Sequence, residues 1–318
     1  MTADPMGTIT RELLLRHLGT WLPAALRQAR RATFVQAYQG SDDGAADAAL
    51  RAVETRGDLL AGRQLSIVTL TTATEATTAT TGPAALPPSV SVHLLAGGPA
   101  MVPVAVTAAA AARSPLFCYA DLGGESAATP ALWRSVSVGR PAEVLIVGAA
   151  DPSRELRAEL TRAGFPLVTV VELVPAGESG PDGAATALRL AFATGSGKRI
   201  EAFKDALWAL DVPAGTLLRT ADADDVPMVV APTAGPALAS LSGALLAHLA
   251  ARGRRTVAEL RSFAVTETAY RAGDVNGALV DLLADGEVRR DPVDGRLGGD
   301  VTVVATVPPA GSPARSSA

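Results

Sequence analysis

Leu167-Val168-Thr169-Val170-Val171-Glu172-Leu173-Val174 and, after the Gly/Pro/Ser-rich residues 175–186, Ala187-Leu188-Arg189-Leu190-Ala191-Phe192-Ala193-Thr194 decide the fold. Both read as strands, and the loop between them is too short for a crossover helix. The second strand is therefore expected to run antiparallel to its neighbour. Working back toward the N-terminus, Val144 to Gly148 is an unbroken apolar run of the kind found in strands buried on both faces. Leu116 to Ala120, Gln64 to Leu70 and Ala32 to Ala37 are further strands, and Val90 to Leu95 alternates Val90, Val92 and Leu94 inward with Ser91 and His93 outward. Helical patterns separate most of these strands. Thr10 to Arg27 carries Leu13, Leu14, Leu18, Trp21, Leu22 and Leu26 at helical spacing, with Pro23 expected to kink or split it. Ala45 to Leu60, Pro103 to Arg113, Pro130 to Val136 and a helix capped by Asp151 and running to Ala163 follow. Alternation of this kind specifies an α/β fold with a doubly wound, mostly parallel, seven-stranded sheet.

The second segment changes character. Gly197 to Leu210 is an amphipathic helix, and Asp211 to Thr233 is a Pro/Asp-rich linker. Helices are expected at Pro236 to Ala251, at Thr256 to Phe263, where Thr256 and Glu259 are spaced as a capping box, and at Gly273 to Asp285. Two strands, Glu287 to Arg290 and Val301 to Val304, flank the loop Asp291 to Gly299. Three helices followed by a two-stranded ribbon make a winged helix. The expected organisation is a Rossmann-like domain over 1–211, a linker over 212–235, a winged-helix domain over 236–306 and a disordered tail over 307–318.

Composition narrows the function. The chain has 318 residues, 48% hydrophobic and 19% charged, which excludes disorder as its overall state. Net charge is −4, against a dedicated phosphate-backbone binder. The single cysteine, Cys118, excludes an intramolecular disulfide framework or a multi-thiolate metal site, and a reducing cytoplasm is the expected compartment. Ala76 to Ala112 and Val226 to Ala251 carry no charge, but prolines interrupt both, so neither is expected to span a membrane. Met1 to Pro5 shows no secretory-signal pattern.

The α/β layout resembles that of class I S-adenosylmethionine methyltransferases. More specifically, Leu190-Ala191-Phe192-Ala193-Thr194 with Glu201-Ala202-Phe203-Lys204-Asp205-Ala206-Leu207-Trp208, and Thr256-Val257-Ala258-Glu259-Leu260 through Thr266-Glu267-Thr268-Ala269-Tyr270-Arg271, resemble the three-Cys-motif partner proteins. Members of that family join a methyltransferase-like domain to a C-terminal winged helix. The opening Leu13-Leu14-Leu15-Arg16-His17-Leu18-Gly19-Thr20-Trp21-Leu22 also fits. The resemblance implies a cofactor loop after the first strand, here Gln36-Ala37-Tyr38-Gln39-Gly40-Ser41, with Gln36 where the family has a carboxylate for the cofactor's amino group. It implies a ribose-binding acid after the second strand, where this chain has Leu70-Thr71-Thr72 and its nearest carboxylate is Glu75. The third strand runs into Ala96-Gly97-Gly98, and the motif after the fourth survives as Asp121-Leu122-Gly123-Gly124. Losing two charge-assisted hydrogen bonds would weaken cofactor binding by about 10²–10⁴-fold.

The cofactor-binding candidates are thus Gln36, Tyr38, Gly40, Asp42, Thr71 and Thr72, with Asp121 and Tyr119 as catalytic candidates at the mouth of the fourth strand. Each has a plainer reading: Asp121 as a turn former, Asp42 as a solvated turn residue, and Cys118 beside Tyr119 as packing. His93 without a partner is expected to be solvated. S-adenosylmethionine is expected to bind weakly or not at all, and no metal is expected. The first reading is a non-catalytic or repurposed methyltransferase-like protein, with a protein partner or self-association as its principal interaction and a small molecule as a second one. The winged helix would then serve dimerisation or domain packing. The alternatives are an active methyltransferase using Gly40, Thr71 and Asp121, and a nucleic-acid-binding regulator using Arg254, Arg255, Arg289 and Arg290. Against the last, residues 236–303 hold eight arginines and nine acids, and the third helix carries Asp274, Asp281 and Asp285 with no cation.

Overall fold

The computed structural model describes residues 5–40, 44–72, 86–123, 129–149, 155–174, 187–210, 216–220 and 237–306. It divides into two compact units, 1–234 and 235–318. Asp42, Glu75, Asp151 and the tail 307–318 lie outside the described residues.

In the first unit the chain order is α1 (Pro5–Gln28), β1 (Arg31–Tyr38), α2 (Ala45–Glu54), β2 (Gln64–Thr71), β3 (Val90–Ala96), α3 (Val102–Ala108), β4 (Leu116–Asp121), α4 (Pro130–Val136), β5 (Ala142–Ala149), α5 (Leu156–Ala163), β6 (Leu167–Val174), β7 (Leu188–Thr194), α6 (Gly197–Trp208) and β8 (Leu217–Thr220). These strands form one sheet in the order β3-β2-β1-β4-β5-β7-β6-β8. β1 to β5 pair in parallel, and β7 lies antiparallel between β5 and β6. This is a mixed α/β, mostly parallel sheet of the Rossmann-like methyltransferase type. α1 continues through Pro23 as a single helix.

The sheet has eight strands rather than seven. The added strand, β8, lies in the stretch expected to be a linker. It pairs antiparallel with β6, bringing Arg219 opposite Glu172, which also faces Arg189 of β7. The buried Glu172 carboxylate accepts from Arg189 Nη2 at 2.8 Å and from Arg219 Nε at 2.8 Å. Two guanidinium groups therefore satisfy one carboxylate and hold a four-residue strand too short to be specified by its own apolar pattern.

Alternation along the strands builds two cores. Val35, Val68, Cys118, Val144, Val170 and Ala193 face one side, packed with Leu132 and Trp133 of α4 and Leu160 of α5. The opposite side buries Phe34, Phe117 and Phe192 against α1 and α6. There His17 of α1 lies 4.8 Å from both Phe117 and Phe192 by ring centroids. Its Nε2 meets Glu143 Oε2 of β5 at 2.7 Å, while Arg199 of α6 donates to the same carboxylate from Nε at 2.8 Å. This triad joins two helices to the sheet.

α3 stops earlier than its alanine-rich sequence predicts. Ala111 N–H bonds to Val106 O and Ala110 N–H to Thr107 O, a Schellman-type ending that puts Ala110 at φ 49°. An exposed alanine stands where glycine is favoured. Ala110→Gly is expected to raise the stability of the protein by about 0.5–1 kcal/mol, the left-handed strain relieved less the added unfolded-chain entropy. A higher denaturation midpoint in urea checks it.

The second unit consists of α7 (Leu238–Arg252), β9 (Arg255–Thr256), α8 (Val257–Glu267), α9 (Asp274–Ala284), β10 (Val288–Asp291) and β11 (Thr302–Ala305). Its three strands form an antiparallel sheet in the order β10-β11-β9. The capping box forms as its spacing predicts: Thr256 N–H donates to Glu259 Oε2 at 2.7 Å, and Glu259 N–H to Thr256 Oγ1 at 3.2 Å. Leu241, Leu245, Leu249, Leu260, Val275, Leu279 and Val303 fill the interior.

Candidate functional site

In a parallel α/β sheet, ligands bind outside the carboxyl ends of the strands, where the strand order reverses. Here that place lies between β1 and β4, with the ends of β2 and β3 alongside. The backbone turns sharply at Gly40 (φ 111°), Gly97 (φ 119°) and Gly123 (φ 56°), conformations that side chains resist.

The residues meeting there are bound to one another. Gly40 N–H donates to Thr72 Oγ1 at 2.8 Å, and Thr71 Oγ1 donates back to Gly40 O at 3.0 Å. Gln39 N–H donates to Asp121 O at 2.9 Å, and Gly97 N–H to Thr71 O at 2.9 Å. A Cβ on Gly98 would stand 2.5 Å from Gln39 Oε1 and 2.9 Å from Thr72 Cγ2. The β1 turn is thereby fastened to the ends of β2 and β4, and the end of β3 to that of β2.

The structure brings Gly40, Thr71 and Thr72 together, engaged with each other. Asp121 is half-buried and its Oδ1 accepts from Gly123 N–H at 2.9 Å, the geometry of a turn former. Gln36, expected where the resembled family has a carboxylate for the cofactor's amino group, is wholly interior. Strand alternation turns it toward the α1 face, where Nε2 donates to Thr69 Oγ1 at 2.8 Å and Oε1 accepts from Tyr38 OH at 3.1 Å. Tyr38 and Tyr119 pack on the same face with ring centroids 5.6 Å apart. Burial and the nearby Asp121 charge raise the Tyr119 pKa, with a partly opposing hydrogen bond to Thr10 of α1. A buried phenol that resists ionisation makes a poor general base. Cys118 faces the opposite core, and burial pushes its thiol up to about 12. His93 stands exposed on β3.

Sequence reading missed Gln39 and Gly98, although the successive glycines 97 and 98 at a strand end signal a close approach of backbone. In the described part of the crevice, backbone groups that S-adenosylmethionine would meet are already engaged. The amide and carbonyl of Gly40 are committed, and no carboxylate from the ends of β1 or β2 reaches the crevice among the described residues. Nor do the described residues contain a cluster of histidine, cysteine and carboxylate groups able to hold a metal ion.

In the second unit, Arg290 is an internal brace. Its guanidinium donates to the carbonyls of Pro292, Gly295 and Asp294 at 2.8, 2.8 and 3.0 Å, shaping the loop after β10. Arg255 Nη1 donates to Arg254 O, and Arg254 lies 3.8 Å from Asp291. Arg289 is exposed, as are Asp281 on α9 and Asp285 just after it.

No family model matches the chain, and comparison with curated proteins yields no match. Among solved structures, a probable spermidine synthase from Corynebacterium glutamicum ATCC 13032 is 12% identical, covering 64% of this chain and 74% of that one, with a TM-score of 0.40. A DUF574 family protein from Streptomyces avermitilis MA-4680 is 13% identical over 62% of this chain and 92% of its own, with a TM-score of 0.33. A SAM-dependent methyltransferase from Agrobacterium tumefaciens is 13% identical, with a TM-score of 0.33. This chain covers 61% of that protein and is itself covered over 56%. The class, a Rossmann-like methyltransferase-type α/β protein, rests on the strand order rather than on these likenesses.

Proposed function

We propose that this chain is a methyltransferase-like protein whose cofactor crevice has been converted into structure, and that it acts through a partner protein or a second copy of itself rather than by methyl transfer. The reading rests on the fastening of Gly40 to Thr71 and Thr72, which engages the backbone groups a cofactor would use. The interior placement of Gln36 supports it. The second unit, with β9 between its first two helices and a ribbon after the third, is read as a winged helix. Its Arg290 is spent on the wing, and the acids of α9 would repel a phosphate backbone, so protein contact is the proposed role. No described helix is long and apolar enough to cross a membrane, and cytoplasmic residence is proposed with the partner role.

Calorimetric titration with S-adenosylmethionine and S-adenosylhomocysteine tests the reading. Dissociation constants weaker than about 0.1 mM are expected for both, because two charged acceptors are missing. Micromolar binding of either ligand overturns the proposal and makes the active methyltransferase the reading to pursue.

A further inference from the structure

At the end of the sheet opposite the crevice, the first residues of β1 and β2 and the turn before β4 enclose a cavity of about 150 Å³. Arg31, Thr33, Gln64, Ser66, Arg113 and Ser114 line it together with alanines 32, 109, 110 and 112. No carboxylate lines it. Among the described residues, neither the Arg31 nor the Arg113 guanidinium makes a hydrogen bond or ion pair. Both are exposed, whereas the more buried Arg189 and Arg199 each meet a carboxylate. Two cations lining one small polar cavity favour an anion between them.

The backbone adds an independent observation. Arg113 sits at φ 65°, a left-handed conformation uncommon for a long side chain, three residues after the left-handed Ala110. Its own N–H is held by Val138 O and that of Ser114 by Ala111 O, so the turn that brings Arg113 to the cavity is fixed. At the nearby end of α3, Val106 O and Thr107 O are taken by the N–H groups of Ala111 and Ala110.

We infer that the Arg31–Arg113 cavity is a binding site for a phosphate group, free or as the monoester of a small metabolite. Guanidinium groups recognise tetrahedral oxyanions through paired N–H donors, and Ser66, Thr33 and Gln64 offer further donors. The volume is about that of five liquid waters, enough for one phosphate group and too small for a nucleotide base beside it. The inference does not depend on the state of the cofactor crevice.

The test uses the full chain in phosphate-free buffer, titrated calorimetrically with inorganic phosphate and, separately, with ribose 5-phosphate. Saturable one-site binding is expected, weakened about tenfold or more in Arg31→Gln and in Arg113→Gly. Arg113→Gly removes the guanidinium while relaxing the backbone, so a loss of binding cannot be ascribed to failed folding. Tighter binding of ribose 5-phosphate identifies a metabolite monoester, and equal binding identifies free phosphate. No binding at 10 mM, roughly the weakest affinity a two-arginine site would have, overturns the inference, as does binding unchanged in both variants.

Discussion

Glu143→Ala is expected to lower the stability of the protein by about 3–5 kcal/mol, because it strands a buried cationic group and a buried imidazole together. Glu143 accepts from His17 at 2.7 Å and from Arg199 at 2.8 Å, and its side chain is almost fully buried. Without the carboxylate, Arg199, whose side chain is only 15% exposed, keeps a charge it cannot lose. The His17 ring, enclosed by Phe117 and Phe192, loses its polar partner. Glu143→Gln retains shape and one acceptor and should cost less, about 1–2 kcal/mol. Urea denaturation followed by circular dichroism ranks the variants. In Glu143→Ala, replacing Arg199 with methionine should recover part of the loss, giving a coupling energy above about 1 kcal/mol. Equal stability of wild type and Glu143→Ala would remove the triad from the account of how α1 and α6 are held.

The same triad sets an acid limit. Burial lowers the His17 pKa from its ordinary 6.5, so the ring is neutral and donates to Glu143. For Glu143, burial alone would raise the pKa, but the hydrogen bonds from His17 and Arg199 outweigh it and the pKa falls below 4.5. Both folded values are depressed, so the unfolded chain binds more protons in each window and stability falls on acidification. The His17 contribution is intact above pH 6.5 and is lost as pH falls toward its folded value; that of Glu143 begins to fade below 4.5.

The sheet was legible because most of its strands declare themselves locally. Val144 to Gly148 and Leu167 to Val174 are apolar runs bounded by turns, and the short loop before Leu188 forces the reversal that β7 makes. β8 was not legible. Leu217-Leu218-Arg219-Thr220 has no pattern of its own, and its place depends on Arg219 reaching a carboxylate 47 residues earlier in the chain. His17 was likewise mute on its helix, since its partner lies 126 residues away in β5. At the candidate site, Gly40, Thr71 and Thr72 were named because the resemblance implies a cofactor loop after the first strand and a ribose contact after the second. Spacing alone could not say that these three would bind each other. Gln36 was misplaced for a different reason: its position along β1 was right, but alternation turns its side chain under α1 and away from the crevice.

Gln36→Glu separates these two views and is expected to destabilise the protein by about 2–4 kcal/mol at pH 7 without creating a cofactor site. If residue 36 faced the crevice, the substitution would supply the acid that the resemblance implies there and strengthen S-adenosylmethionine binding. In the interior it replaces an amide that donates to Thr69 Oγ1 and accepts from Tyr38. A carboxylate can accept from Tyr38 and, after rotation of the hydroxyl, from Thr69, but no cationic side chain hydrogen-bonds at this position among the described residues. Desolvation therefore raises the folded pKa of the introduced carboxyl above its unfolded value of about 4.3. The folded state then holds the proton more tightly, so the penalty is small below about pH 4.3, grows as pH rises, and levels off above the folded pKa. The difference in midpoint between wild type and Gln36→Glu, measured at pH 5 and at pH 8, should be larger at pH 8. A pH-independent difference, or a gain in S-adenosylmethionine affinity, would return residue 36 to the crevice and with it the case for methyl transfer.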